Sequence, residues 1–217
     1  MYLRSTSFAP YSFIPTRYAF GKTSEAGRFA MSDNINPHLA WGDVPDGTRS
    51  LAVVCYDPDV PSVGDDVNQE GRTVSVDLPR VNFFHWVLVD LPPSLREIGE
   101  GVHCTGITAQ GKPETSSPDG GVHGVNDYTG WFAGQEDMKG NYYGYDGPGP
   151  PWNDERVHAY HFAVFALDVE SLGLHGSFTG AKAMRALRSH VLAQATLVGL
   201  YAINPEARAK HLASLGG

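Results

Sequence analysis

A mainly β, turn-rich fold is predicted by three features of this chain. Its 25 glycines and 15 prolines punctuate short apolar runs instead of gathering in one linker. The runs themselves are rich in β-branched and aromatic residues, as in Leu51-Ala-Val-Val-Cys-Tyr56 and Phe84-His-Trp-Val-Leu-Val89. With 10 Phe, 10 Tyr and 4 Trp in 217 residues, there is material for one sizeable core, and a single domain spanning 1–217 is expected.

Taken in order, 51–56 and 84–89 read as buried strands, each closed by Pro or Gly turn chemistry. Between them, 62–82 is polar and reads as an insertion at the sheet edge, with the alternating Thr73-Val-Ser-Val-Asp77 as a candidate hairpin arm. A second insertion, 106–149, is dominated by Gly, Asp, Asn, Ser and Tyr, and its aromatics suggest that it folds back over something. The third strong strand is 158–168. Alternation puts His158, Tyr160, Phe162 and Val164 on one face, with Ala159, His161, Ala163 and Phe165 on the other. Residues 181–190 are good helix formers with Met184 and Leu187 on one stripe, and 206–212 reads as a short C-terminal helix after Asn204-Pro205. Periodicity leaves 191–203 open between helix and strand.

The formal charge of −8 and the lack of a basic block disfavour nucleic acid as a partner. Cys55 and Cys104 read as free thiols, Cys55 lying within an apolar run. The first residues carry no apolar signal region and no window approaches ~20 apolar residues, so a cytoplasmic location is expected.

Chemistry-bearing residues concentrate in three proline-framed segments: Tyr56-Asp-Pro-Asp-Val-Pro61, His85-Trp-Val-Leu-Val-Asp-Leu-Pro92 and Tyr145-Asp-Gly-Pro-Gly-Pro-Pro151, the last leading to His158-Ala-Tyr160. Brought together, they place the Asp57 carboxylate, two imidazoles (His85 and His158), the Tyr160 phenol and proline walls around one small cavity. Imidazole and phenol donate to an oxyanion, and a carboxylate orients an imidazole or accepts from a protonated guest. Asp57 and Asp59 are two apart and share a face if the loop after the first strand is extended. A metal site is disfavoured, since His158 and His161 point to opposite faces of a strand and neither His-Glu-x-x-His nor a paired-Cys motif is present. A Gly-x-Ser-x-Gly elbow and a phosphate loop of the Gly-x-x-x-x-Gly-Lys type are also missing, and no cofactor is expected. The aromatics at 128–145 suit either a cage for a cationic head group or a packed loop.

Together with Asn34-Ile-Asn-Pro-His-Leu-Ala-Trp41, these segments occur in an order that resembles the phosphatidylethanolamine-binding protein family, more closely its bacterial and archaeal branch, often called Raf-kinase-inhibitor-like. The likeness runs from about residue 20 to residue 203. It implies a β-sandwich of two sheets with a few peripheral helices, a strand over 190–201, and an anion pocket lined by Asp57, His85, Pro150, Pro151, His158 and Tyr160. Asp59 and Pro61 would brace the loop. One departure is that the family's Gly-x-His-Arg stretch reads Arg156-Val-His-Ala159, so the ion pair its arginine makes with the aspartate loop is lost unless Arg156 supplies the cation. The expected role is non-enzymatic binding of a phosphate- or carboxylate-bearing group, such as a phospholipid head group. Two alternatives are a regulator of a kinase or protease acting through surface loops, and a hydrolase using the His/Asp cleft. A homodimer is left open.

Overall fold

The computed structural model describes residues 1–114 and 117–216. In chain order these form β1 (Tyr2–Arg4), β2 (Gly21–Thr23), β3 (Phe29–Met31), β4 (Leu39–Gly42), β5 (Ser50–Pro61), β6 (Arg80–Leu91), β7 (Glu97–Ile98), β8 (Val122–His123), α1 (Tyr128–Trp131), β9 (His158–Leu167), α2 (Gly180–Leu187), β10 (Val191–Tyr201) and α3 (Pro205–Leu215). A five-stranded antiparallel sheet has the order β10-β9-β5-β6-β8, and a three-stranded sheet β1-β4-β7 packs across it, with β2 and β3 as a separate hairpin.

Strict alternation along the central strands builds two cores. Leu51, Val53 and Cys55 of β5, Trp86 and Leu88 of β6, and Tyr160, Phe162 and Val164 of β9 meet Leu39 and Trp41 of β4 between the sheets. The opposite face of the same strands, through Ala52, Val54, Val87, Ala163 and Phe165, is covered by Ala183 and Leu187 of α2. The chain is thus mainly β, as its composition and patterning predict, and a sandwich with few helices, as the resemblance implies. Cys55 and Cys104 are buried free thiols. No helix among the described residues is long and apolar enough to cross a membrane.

Two boundaries differ from the sequence reading. β5 does not stop at Tyr56: Asp57-Pro-Asp-Val-Pro61 stays paired with β6, with Asp57 opposite Phe83 and Pro61 opposite Arg80, through a register shift between Asp57 and Val60. The two prolines lack ladder donors, which reads as a stop, yet a bulge absorbs the missing bonds. Thr73 to Asp77 is no hairpin arm; buried Val74 makes one parallel bridge to Asp154 and the rest is turn. The strand that the resemblance implies over 190–201, which periodicity alone leaves open, is present at 191–201, because these residues pair along the whole of β9 as its outer neighbour. The helices follow their caps: Thr179 accepts from the Lys182 amide, and Asn204 from that of Glu206 with Pro205 at the first turn.

The long segment 106–149 includes Thr115 and Ser116, which lie outside the described residues. Its remainder is packed, with Tyr128, Phe132 and Tyr142 forming a third cluster around Phe20. Tyr145 enters the main core beside Trp86.

Phe162 sits fully buried at the centre of β9 against Phe8. Phe162→Ala is expected to destabilise the protein by about 3–5 kcal/mol, seen as a lower denaturant midpoint at unchanged slope.

Candidate functional site

At the end of β5, β6 and β9 lies a cavity of about 120 Å³. That is the liquid-volume share of ~4 waters at about 30 Å³ each, the size of a phosphate or carboxylate group. Of the eight residues singled out in the sequence, seven contribute to it or brace it. Asp57, His85, Pro150, Pro151 and Tyr160 line it, and so does Pro61, which stands in the wall itself. Asp59 lies behind Asp57, its amide donating to Asp57 Oδ1 at 2.8 Å.

His158 is the exception, and its place corrects the role given to it. The ring is fully buried one layer behind the cavity, with Nδ1 donating to Asp57 Oδ2 at 2.7 Å and Nε2 to Asp154 Oδ2 at 3.1 Å. Carboxylates only accept, so both ring nitrogens carry protons and neither is left for a guest. Burial works against that charge, but the Asp57 charge and the bonds to Asp154 and Asp57 overcome it and lift the imidazolium pKa to about 9. The same attraction outweighs burial at Asp57 and at Asp154 and holds both carboxyls below their ordinary range.

Asp154 was not legible as a functional residue, yet it continues the chain outward. Arg80 of β6 clamps it with two guanidinium nitrogens, at 2.5 and 3.0 Å, and also donates to the Asp59 carbonyl at 2.8 Å. Arg156 reaches Asp59 Oδ1 at 3.0 Å while the Ala159 amide donates to Asp59 Oδ2 at 2.9 Å. Arg156 therefore supplies the cation whose position Ala159 leaves empty. Three carboxylates, two guanidiniums and one imidazolium form a single chain of formally balanced charge behind the cavity.

His85 is held differently. Its backbone carbonyl accepts from the Asp146 amide at 2.9 Å, and its Nδ1 meets the Asp146 carbonyl at 2.8 Å, so Nδ1 must donate. Nε2 is then the acceptor of the neutral ring. Burial, opposed by the Asp57 charge, keeps the His85 pKa below its ordinary value. Tyr160 is fully buried and its hydroxyl makes no hydrogen bond of ordinary length, but the Asp57 carboxylate is near enough to draw on it; burial, the Asp57 charge and that approach push its pKa well up, so it stays a phenol. Tyr128 also lines the cavity, but its hydroxyl is taken by the Gly147 carbonyl at 3.0 Å.

The proline wall is anchored by Asp146, a fully buried carboxylate. Oδ1 accepts from Asn34 and Oδ2 from Asn126, each at 2.7 Å, and Lys112 Nζ lies 2.9 Å from Oδ2. Asn34 in turn accepts from the Gly147 amide at 2.8 Å. Gly147 is required by close approach, since a Cβ there would run into the Tyr18 carbonyl and meet the Tyr145 hydroxyl. Tyr128 and the half-exposed Trp131 at the mouth belong to the aromatics at 128–145 read as a cage or a packed loop, while Asn34, Lys112 and Asn126 were not singled out in the sequence as site residues. Only the Asn-x-Asn-Pro run holding Asn34 carried a signal, through its place in the motif order.

The family model described as phosphatidylethanolamine-binding protein matches residues 4–202. This chain belongs to the phosphatidylethanolamine-binding protein family. The UPF0098 protein YbhB of Escherichia coli is 32% identical over 188 residues, covering 87% of this chain and 91% of that protein. A UPF0098 protein of the archaeon Methanothermobacter thermautotrophicus is 32% identical over 201 residues, covering 93% and 98%. Among solved structures, Escherichia coli YbcL, described as a new member of the mammalian PEBP family, gives a TM-score of 0.67 at 25% identity, covering 94% of this chain and 98% of that one. A phosphatidylethanolamine-binding protein homologue from Chlamydia trachomatis gives 0.60 at 25% identity, covering 92% and 95%. Against the family pattern, the Ala159 departure is thus met by Arg156 from three residues upstream.

Two stability outcomes follow from the charge chain. His158, raised from 6.5 to about 9, contributes stability that is complete below pH 6.5 and lost as pH climbs to 9. Asp57 and Asp154, held below 3.8, contribute stability that is lost only as pH falls through their depressed values. Stability measured by denaturation should therefore drop above pH 6.5 by an amount on the order of 3 kcal/mol, and His158→Asn should flatten that limb. A flat wild-type profile would mean that the ring is not charged. Second, Arg80 is buried against Asp154, whereas Arg156 is about a third exposed. Arg80→Leu should cost about 3 kcal/mol or more, against about 1 kcal/mol or less for Arg156→Ala, compared by chemical denaturation.

Proposed function

We propose that this protein is a non-enzymatic binder whose cavity takes the terminal phosphate or carboxylate of a small molecule, a phosphorylated head group being the case suggested by the family's name. The observation that carries this reading is the Tyr160 hydroxyl. It is buried at a preformed cavity with no hydrogen bond of ordinary length, only the Asp57 carboxylate being near enough to draw on it. An orphaned buried hydroxyl costs a folded protein ~1–3 kcal/mol, and an oxygen of the guest would relieve it. His85 Nε2 and the Asp57 carboxylate stand around the same space as acceptors, and the prolines and Phe83 make a stiff apolar collar.

Binding rather than turnover is supported by how the ionisable groups are held. His158 has no free nitrogen with which to move a proton, and Asp57 already accepts from the His158 ring and the Asp59 amide. Such groups define the shape and charge of a receptor. With acceptors outnumbering donors, an oxyanion enters with uptake of a proton, and affinity rises as pH falls, by at most about tenfold per pH unit for one proton.

Tyr160→Phe separates stability from binding. The variant should be as stable as the parent or more so, because it removes an unpaired hydroxyl, while its affinity for O-phosphorylethanolamine should fall about tenfold or more. Titration calorimetry near pH 5.5 and pH 7.5, with a thermal melt of each protein, reads both quantities. Equal affinity in parent and variant, or a variant that melts lower, would remove the support for this reading.

A further inference from the structure

A cavity that takes up a proton with its guest can put that proton in either of two places: on His85, which would make the site a receptor for any oxyanion, or on the guest. We propose that the proton stays on the guest, so that the site selects oxyacids still carrying an O–H, such as a phosphate monoester or phosphonate monoanion, and discriminates against fully deprotonated oxyanions such as sulfonates and sulfate. This rests on the anion-pocket reading above and narrows it.

Among the described residues, no lysine or arginine lines the cavity. The nearest cations, His158, Arg80 and Arg156, are each committed to carboxylates of the balanced chain behind it. What faces the guest is the Asp57 carboxylate, which accepts only, and the neutral His85 ring, whose Nδ1 proton is spent on the Asp146 carbonyl. Of the buried groups, Tyr160 alone presents an uncommitted O–H, since that of Tyr128 is used on Gly147. The remaining donors of the wall lie toward the rim: the Ser62 and Asn68 side chains and the Trp131 indole N–H are exposed, and the Gly149 amide is half-buried.

A guest with acceptors alone would satisfy Tyr160 and then confront Asp57 and His85 Nε2 with nothing to donate. Like-charge apposition and unpaired acceptors of that kind are a strong basis for rejecting a ligand. A guest with one ionised and one protonated oxygen accepts from Tyr160 through the first and donates to Asp57 or His85 through the second. The groups surrounding Asp57 reinforce this. His158 and the Asp59 amide fix it as a carboxylate, Tyr160 and Tyr128 face it as phenols, and burial disfavours a charged His85 beside it.

Methylphosphonate and methanesulfonate test this directly. At about pH 6 both are tetrahedral monoanions of nearly the same shape, and only the phosphonate keeps an acidic proton. Calorimetric titration of the wild-type protein with each, at equal ionic strength, should show methylphosphonate binding about tenfold or more tightly, the value of one charge-assisted hydrogen bond. Equal affinities would overturn the proposal and leave the anion pocket standing, with the proton assigned to His85. If neither binds, the pocket reading falls and the proposal with it. Asp57→Asn, whose amide can donate, should bring the two affinities together; a preference that persists in a folded Asp57→Asn protein would overturn the assignment of Asp57 as the discriminating group.

Discussion

One imidazolium held between two carboxylates organises this end of the molecule. His158 belongs to β9, Asp57 to the bulged end of β5, and Asp154 to the turn before β9, so the two bonds of a single ring tie together the strands that frame the cavity. Buried ion pairs contribute little net stability when compared with apolar packing, but leaving one member unpaired is severe. The arrangement is consequently all-or-none. Arg80, entering from β6, closes the outer end of the chain and completes its charge balance.

A second buried carboxylate does for the loops what that ring does for the strands. Asp146 gathers Asn34, Lys112 and Asn126, three residues far apart in sequence, and so fixes a long Gly- and Tyr-rich segment that has little periodic structure of its own. Its amide donates to the His85 backbone carbonyl and its carbonyl accepts from His85 Nδ1, which sets the tautomer of the cavity's one free imidazole nitrogen. Electrostatic balance behind the walls and hydrogen-bond direction within them thus come from two separate devices. The cavity inherits its shape from one and its chemical preference from both.

Much of this was readable from the chain because the signals are local. Alternation along His158 to Phe165 assigned the faces of β9 correctly, since packing between two sheets enforces a period of two. The proline-framed segments did converge on one cavity. What failed was anything decided by direction. Spacing put Tyr160 and His158 on one face but could not tell which one stops at the cavity and which is absorbed behind it. Asp57-Pro-Asp-Val-Pro61 reads as a loop because proline lacks an amide, and only pairing with Phe83 and Arg80 shows it as strand. Asp154, Arg80 and Asp146 carry no motif at all, because a charged residue in a polar stretch looks the same whether it is solvated or clamped. The replacement of an arginine at Ala159 by Arg156 was likewise visible only once the turn placed both near Asp59.

Trp131 gives this cavity a built-in optical reporter. It stands 45% exposed at the mouth, whereas Trp41 and Trp86 are sealed in the core and the half-buried Trp152 lies outside the lining. Its indole is therefore positioned to have its emission shifted when solvent at the entrance gives way to a guest, while those of Trp41 and Trp86 supply a constant background. Occupancy of the site is open to steady-state fluorescence without a label, a ligand chromophore or any change to the chain.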